Sequence, residues 1–286
     1  MADFSAGTPD ANIYLAQTGD GEVILTPTVG TEFSGSALPS GWFATPWTTG
    51  GSATVSGGTL TVDAALVGTN TYYSPGHSLE FVATFGANTS QHVGFGTDLN
   101  APPWAIFSTG YPSGTTLKAR TNNGSTFIDT DLGGAYLGAP HRYRIAWTTT
   151  GVVYSIDGVQ VASHAIAITA SMRPVGSDLA GGPTLSLDWM RMSPYTSSGL
   201  YTSRVLDAGV TANWLGLTST VTLPTGSTIS FMTRTSTDGA TWSSWVALNS
   251  NGSIASPPGR YIQYQASLST TDATVSPALA QVTISY

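Results

Sequence analysis

A run of alternating residues from His141 to Trp147 constrains the fold of this chain more than any other feature. Tyr143, Ile145 and Trp147 fall on the same face as His141, and the intervening residues fall on the other, which is the period of a half-buried strand. The polar turn 148–151 and a second strand over 152–156 follow. Asp157-Gly158 is a strong hairpin signal, and 159–163 can pair back as a third strand. The segment therefore predicts a three-stranded antiparallel meander.

The composition extends this prediction to the whole chain of 286 residues, which has room for one large domain or two ordinary ones. Glycine, serine and threonine turns recur, and no long segment has a period of 3.6 residues, so we expect an all-β protein. The net charge of −7 makes a polyanion such as nucleic acid an unsuitable partner. The absence of cysteine excludes disulfides and thiolate metal sites.

The location follows from the same composition. Charged residues make up only 9% of the chain, against about a quarter in ordinary proteins, and we expect an extracellular surface. No apolar run reaches the ~18–20 residues that span a membrane, and we expect no signal peptide in the segment that starts Met1-Ala2-Asp3-Phe4. We expect a secreted or cell-surface, monomeric module of a longer exported bacterial protein. A complete cytosolic protein stays open as the alternative.

The meander resembles the one in concanavalin A-like jelly rolls, whose members include the laminarinase and lichenase glycoside hydrolases. Two further segments resemble that family in the right order: Glu32-Phe33-Ser34-Gly35 its opening, and Leu187–Met192 its closing segment. The resemblance covers residues 31–193 and implies a jelly-roll sandwich there. It does not by itself give an activity, because one fold serves many functions.

A second, smaller β-sandwich is expected over residues 201–286, after a linker at 194–200. The segments Ser203–Gly209 and Gly259–Tyr264 resemble the galactose-binding-like, or discoidin-like, sandwiches attached to exported bacterial proteins. Residues 1–28 are too few to bury a core of their own. They could complete the second sandwich, in which case the jelly roll is inserted into it at a loop.

The catalytic motif of the laminarinase-like enzymes is missing. Those enzymes carry three acidic residues at i, i+2 and i+4 of one strand, where they share a face. In this chain Trp104, Ile106 and Ser108 stand at those positions, and the chain has only three glutamates. Asp129 and Asp131 are two residues apart, but they border the loop expected at Gly133-Gly134. A hydrolase or a lyase with a non-standard site stays open, the lyase through His92, Lys118 and Arg120.

A sugar-binding face is expected on the concave sheet, where glycans lie in proteins of the resembled family. By alternation, Gly94 and Gly96 leave a trough, and Trp104 beside it offers a flat platform. The candidate ligand-binding residues are His92, Trp104, Ser108, Lys118 and Arg120. The alternative is that Trp104 is core packing and that a loop fills the trough.

The resemblance also implies a structural Ca²⁺ ion that joins the first and last strands, with Glu32 and Asp188 as the matching residues. Asp188 could instead cap a turn or pair with Arg191.

Taken together, the sequence favours a noncatalytic, lectin-like carbohydrate-binding or adhesion module whose partner is a polysaccharide or a cell-surface glycan. Two alternatives stay open: a polysaccharide-cleaving enzyme, and a structural spacer of a surface protein.

Overall fold

The chain forms two compact units, one of residues 29–193 and one of residues 1–28 with 194–286. The computed structural model describes residues 2–19, 21–110 and 113–286. No helix in this described part is long and apolar enough to cross a lipid bilayer. Because nearly all regular structure is strand, the all-β prediction is confirmed.

The regular elements are, in chain order, α1 Ala2–Ser5, β1 Thr8–Pro9, β2 Ile13–Ala16, β3 Glu22–Leu25, β4 Pro27–Thr31, β5 Trp42–Pro46, β6 Ser52–Ser56, β7 Thr59–Asp63, β8 Ala65–Thr69, β9 His77–Thr84, β10 Gln91–Gly96, β11 Trp104–Ser108, β12 Leu117–Asn122, β13 Phe127–Gly133, β14 His141–Trp147, β15 Val152–Ile156, β16 Val159–His164, β17 Arg173–Asp178, β18 Leu185–Tyr195, β19 Ser198–Thr202, β20 Leu206–Ala212, β21 Gly216–Thr222, β22 Ser227–Ser236, β23 Val246–Ala247, β24 Gly259–Thr270 and β25 Ala278–Ser285.

The larger unit is a jelly-roll sandwich of two antiparallel sheets. One sheet has seven strands in the order β13-β12-β11-β10-β17-β8-β5, and the other has eight, β16-β15-β14-β9-β18-β7-β6 with β4 on β18. Apolar side chains from both sheets form one continuous buried cluster. Each sheet therefore has one face against the core and one face turned away from it, as in other sheet-on-sheet folds.

The predicted meander is confirmed. β14 pairs with β9 and with β15, and β15 pairs with β16. Tyr143, Ile145 and Trp147 are fully buried, as the alternation requires. Asp157 and Gly158 adopt positive φ angles of 50° and 80°, the conformation of a two-residue hairpin turn.

An aromatic cluster occupies the centre of this core. The ring of Phe107 lies 4.8 Å from that of Tyr143 and 5.3 Å from that of Tyr154, and Phe81 stacks on Tyr143 at 5.3 Å, all centroid to centroid. These rings come from both sheets, so they join the two layers.

One central strand was not expected from the sequence. The segment 173–178 contains a proline and a glycine, which are rare inside strands. Arg173–Asp178 is nevertheless β17, which lies between β10 and β8. The space at Gly176 is small, because a Cβ there would lie 3.3 Å from the Val67 side chain. The absence of a side chain therefore suits this position of β17.

The smaller unit is also a two-sheet sandwich. Its sheets have the orders β1-β19-β24-β22-β23, with β20 on β24, and β2-β3-β25-β21. Side chains from both sheets share a second core that includes Val23, Tyr201, Ile262 and Leu279. β3 pairs with β2 and β25, so the N-terminal residues contribute strands to this unit. The galactose-binding-like assignment stays a prediction.

The predicted linker at 194–200 is wrong, because most of it is strand. β18 continues to Tyr195, and β19 begins at Ser198 and pairs with β24. Gly199 fits here because a Cβ would lie 2.7 Å from the Ile13 side chain and 3.0 Å from the Asn12 carbonyl oxygen. This polar segment is therefore part of strand β19, and the Ile13 side chain packs directly against its glycine.

We expect Phe107→Ala to lower the free energy of unfolding of the larger unit by about 3–5 kcal/mol, because it empties the centre of the aromatic cluster. Phe127→Ala is the matched control. Phe127 is 68% exposed, and its loss is expected to change stability by no more than about 0.5 kcal/mol. Urea denaturation of both variants measures the difference, and equal effects would contradict the packing described above.

Candidate functional site

The candidate site is the outer face of the seven-stranded sheet, meaning the face turned away from the core. Strand pairing places the five predicted ligand-binding residues on this face. His92 lies opposite Ser108, and Ser108 lies opposite Lys118. Arg120 is two residues from Lys118 on β12, and Trp104 is four residues from Ser108 on β11. By alternation both fall on the same face as these residues.

A polar row crosses the sheet at one end of this face. It runs through His92, Ser108, Lys118 and Asp131 on four adjacent strands. His92 Nδ1 and Ser108 Oγ are 2.9 Å apart, and Ser108 Oγ also accepts a hydrogen bond of 3.1 Å from the Gly110 N–H. We call this set the polar row.

An aromatic row crosses the sheet at the other end. Trp104 lies opposite Asn122, and Asn122 lies opposite Phe127 on the edge strand. Trp104 and Asn122 are half-buried, and Phe127 is 68% exposed. Two aromatic rings therefore flank one amide side chain across three strands, with a spacing of about 4.8 Å per strand. We call this set the aromatic row.

The trough expected beside Trp104 is filled in part. Leu99, from the loop after β10, lies over Gly96, where a Cβ would come within 2.7 Å of the leucine Cδ2. In the row between the two just described, Ile106 is only 2% exposed. The open part of the outer face therefore lies toward β12 and β13 and not over the glycines.

Two acidic residues lie on the edge strand of this face, β13. Asp129 and Asp131 are inside β13, opposite Arg120 and Lys118, and both are exposed on the outer face. Both Asp129 oxygens accept from Arg120 Nε at 3.0 Å. Asp131 accepts from Thr116 Oγ1 at 3.1 Å and from the Gly133 N–H at 2.8 Å. The strand expected to end at Asp129 therefore continues to Gly133, the first residue of the predicted glycine loop.

Further groups lie on the other half of this outer face, over β17, β8 and β5, and the sequence pattern did not predict them. The Trp47 indole donates to Ser177 Oγ at 2.8 Å. The Arg173 guanidinium lies 4.1 Å from the Phe43 ring and 4.6 Å from the Tyr72 ring. Both contacts depend on β17, so a sequence pattern that gave no sign of that strand could not reveal them.

The electrostatics of the polar row keep His92 neutral. Burial lowers the pKa of His92 to about 3, and the nearby Arg120 guanidinium acts in the same direction. A neutral imidazole is both a donor and an acceptor, so the ring can hold Ser108 at one nitrogen and offer the other to a ligand.

The residues proposed for calcium do not fit a calcium site. The Glu32 carboxylate accepts from the Arg191 guanidinium at 3.3 Å, and the two side chains are only 6% and 2% exposed. Asp188 is exposed at a register shift of β18. An arginine in contact with the carboxylate repels a divalent cation. Among the described residues, no group of three or more acidic or histidine side chains could hold a metal ion.

Comparison with family models and with curated proteins finds no match. Solved structures with a similar fold include a beta-agarase A in complex with oligoagarose, which is 15% identical and has a TM-score of 0.44 over 62% of this chain and 95% of that one. A Bacillus licheniformis beta-glucanase is 12% identical, with a TM-score of 0.44 over 57% and 96% of the two chains. A glycosyl hydrolase family 16 protein from Mycobacterium smegmatis is 14% identical, with a TM-score of 0.42 over 58% and 100%.

We expect Glu32→Gln to destabilise the larger unit by about 3–5 kcal/mol, because it removes the carboxylate charge that meets the buried Arg191 guanidinium. The control is Glu80→Gln. Glu80 pairs with Arg142 at 2.7 Å where the arginine is half exposed, and its change is expected to cost at most about 1 kcal/mol. A chelator should leave the melting temperature of the wild type unchanged. A fall in melting temperature that calcium reverses would contradict this ion-pair role.

We expect His92 to make the stability of the larger unit depend on pH. The pKa of His92 in the folded state lies below the ordinary histidine value of 6.5, so its contribution to stability is complete above pH 6.5 and is lost as the pH falls toward 3. Asp178 acts in the opposite sense, because burial raises its pKa to about 6, so its contribution is lost as the pH rises through 6.

The two contributions are separated by comparing the wild type with His92→Gln. The variant should melt below the wild type at pH 7, and the gap should narrow toward pH 4. A gap that stays constant over this interval would show that His92 is not kept neutral by the fold.

Proposed function

We propose that this protein is a carbohydrate-binding module that holds a polysaccharide or cell-surface glycan on the outer face of the seven-stranded sheet. The observation that carries the proposal is the aromatic row, in which Trp104 and Phe127 flank Asn122. Aromatic rings offer flat apolar platforms for the faces of sugar rings, and an amide between them can donate to and accept from hydroxyls.

The exposure of Phe127 supports the same proposal. A large aromatic side chain on an edge strand is an aggregation hazard unless it has a purpose. Here it stands on a face that is otherwise polar and charged, beside Asn122, Asp129 and Arg120. An apolar ring among hydrogen-bonding groups matches the two-sided chemistry of a sugar better than that of an apolar partner.

The composition supports a place outside the cell. Few charges and many serine, threonine and glycine residues suit a secreted or surface-attached module, and adhesion to a glycan-coated surface is one use of such a module. Its partner would be a glycan and not a nucleic acid, because the net charge is −7.

Polysaccharide cleavage is the second candidate, and the observation that favours it is the pair Asp129 and Asp131 on one face of β13. Residues two apart in a strand are ~6.5–7 Å apart, which lies within the ~6.5–9.5 Å used by inverting glycosidases. Binding without cleavage is favoured over this candidate, because Arg120 Nε already engages both oxygens of Asp129, and Thr116 and the Gly133 N–H engage those of Asp131.

We expect Trp104→Ala to weaken glycan binding by at least tenfold, about 1.4 kcal/mol, because a buried aromatic anchor is lost. Phe127→Ala should weaken it as well. The control is Tyr286→Ala, which removes an aromatic side chain that is 62% exposed in the smaller unit. Isothermal titration with glycans found on an array measures the affinities, and melting curves check the fold.

Three outcomes separate the candidates. Binding that the aromatic-row variants lose and Tyr286→Ala keeps supports the proposal. Release of reducing ends by the wild type, abolished by Asp129→Asn, would replace it with the enzyme. No binding to any glycan would leave a structural spacer of a surface protein and overturn the proposal.

A further inference from the structure

The smaller unit has a polar sheet surface of its own, which the proposed function does not use. It is the side of the six-stranded sheet that is turned away from the core of that unit. β22 and β24 pair along their length, and Tyr264, Ala266 and Leu268 of β24 point into the core. By alternation, the intervening residues of β24 and their partners on β22 point to the other side. We call this other side the solvent face.

Uncharged hydrogen-bonding side chains make up most of the solvent face. On the adjacent strands β19, β24 and β22 they are Ser198, Thr202, Gln263, Gln265, Ser267, Ser269, Thr228 and Ser230, all exposed or half-exposed. None of the strongly exposed large apolar side chains in the described part of the chain belongs to these three strands. A protein partner would find no apolar centre to bury here, whereas hydroxyls and amides suit a hydroxyl-rich ligand.

A groove of about 320 Å³ lies at one end of the solvent face. Its lining includes Ser198, Thr228, Ser230, Ser267, Ser269, Leu200 and Asp10. The Asp10 carboxylate is already satisfied by backbone groups, because it accepts from the N–H groups of Asn12 at 2.9 Å and of Leu200 at 2.8 Å. The groove therefore offers hydroxyl groups over a partly apolar floor, which matches the polar edge and apolar face of a sugar ring.

Two hydroxyls in the groove are placed to serve a ligand. Ser230 and Ser267 lie directly opposite each other on β22 and β24. In the part of the chain that the structure describes, neither hydroxyl group has a hydrogen-bond partner. Each can both donate and accept, as the hydroxyl groups of a sugar do.

A stack of two tryptophans and one arginine occupies the other end of the solvent face. The guanidinium carbon of Arg234 lies 4.7 Å from the ring centre of Trp242 and 4.5 Å from that of Trp245. Arg234 Nε and Nη2 donate to Gln263 Oε1 at 3.0 and 2.6 Å. A guanidinium has five N–H groups, so the others stay available to donate to hydroxyls. Both tryptophans are half-exposed and present the rest of their ring surface.

The segment that carries the two tryptophans is held in place before any ligand arrives. Asp238 Oδ1 accepts from the N–H groups of Ala240 and Thr241 at 2.8 and 2.7 Å. The Ser243 N–H donates to the Thr235 carbonyl oxygen at 2.9 Å, and Ser243 Oγ accepts from the Thr235 N–H at 3.0 Å. Because this segment is tied to β22, binding would cost little ordering of the rings.

The groove and the stack lie on one line along the strands. Arg234 is opposite Gln263, and Ser230 is opposite Ser267. The two pairs are four residues apart on each strand, about 13 Å. An extended ligand that lies along β22 and β24 can therefore contact both. Asp10 and Arg234 contribute one charge of each sign, so the two ends together do not select an ionic ligand.

We propose that the solvent face of the smaller unit is a second binding site, which holds an uncharged oligosaccharide along β22 and β24 from the groove to the stack. One sugar would hydrogen-bond to Ser230 and Ser267, and another would meet the tryptophan rings and the remaining N–H groups of Arg234. This inference goes beyond the proposed function and does not rest on it, because no residue of the larger unit takes part.

The test uses the full chain with the aromatic row removed, as the double variant Trp104→Ala with Phe127→Ala. The probes are four uncharged hexasaccharides: laminarihexaose, cellohexaose, xylohexaose and mannohexaose. We expect isothermal titration to show that this background variant still binds at least one of them, at a single site per chain.

Further substitutions in that background locate the site. Ser267→Ile fills the groove with a side chain that suits a strand, and should weaken binding by more than about tenfold. Trp245→Leu keeps an apolar side chain but removes the ring, and should weaken binding by about tenfold. Ser219→Ile is the matched control, because Ser219 is exposed on β21 in the other sheet of the same unit, and it should leave the affinity unchanged.

Weaker binding in Ser267→Ile and Trp245→Leu, with Ser219→Ile unchanged and the melting curves preserved, would support the inference. If Trp245→Leu lowers the melting temperature, Ser267→Ile alone decides. A folded background variant that binds none of the four probes, or full affinity in Ser267→Ile, would overturn the inference. Neither result bears on the site of the larger unit, which is judged from the effect of Trp104→Ala alone.

Discussion

The contact of Phe107 with Tyr143 and Tyr154 is the interaction on which the outer face depends. These rings, 4.8 and 5.3 Å apart by centroid, hold one face of β11 against the opposite sheet. Because strand residues alternate between faces, Trp104, Ile106 and Ser108 must then turn away from the core. A slip of one residue would exchange the two sets, and burying Phe107 makes that slip costly.

The pairing of β10, β11, β12 and β13 carries this constraint across the sheet. Once β11 is fixed, the register places His92 and Lys118 beside Ser108, and Asn122 beside Trp104. The core contributes on its own side, where Thr121 Oγ1 lies 2.7 Å from the Tyr154 hydroxyl and 2.8 Å from His164 Nδ1. A satisfied buried network of this kind supports one register of β12 and no other. The polar and aromatic rows are therefore consequences of packing beneath them.

Charge on the outer face is arranged by competition among hydrogen bonds. Arg120 pairs with Asp129, whereas Asp131 accepts from the Thr116 hydroxyl and the Gly133 N–H, and in the described part of the chain no ion pair joins it to Lys118. Glu32 offers a contrast on the other sheet. There the buried Arg191 guanidinium donates to the carboxylate, at the position where a calcium ion was expected. In both places the nearest donor decides the chemistry, and the acidic residue alone does not.

Local sequence patterns were enough to predict the meander over residues 141–163, the all-β class, and the alternation within single strands that puts Trp104 with Ser108 and Lys118 with Arg120. Each follows from period-two alternation and turn chemistry, which are local properties of the chain. Strand pairing was needed to show that these faces lie side by side on one sheet, that Arg173–Asp178 is a central strand, and that Asp131 lies in a strand opposite Lys118. These features depend on partners far away in sequence, whose packing overrides the weak strand preference of proline, glycine and aspartate.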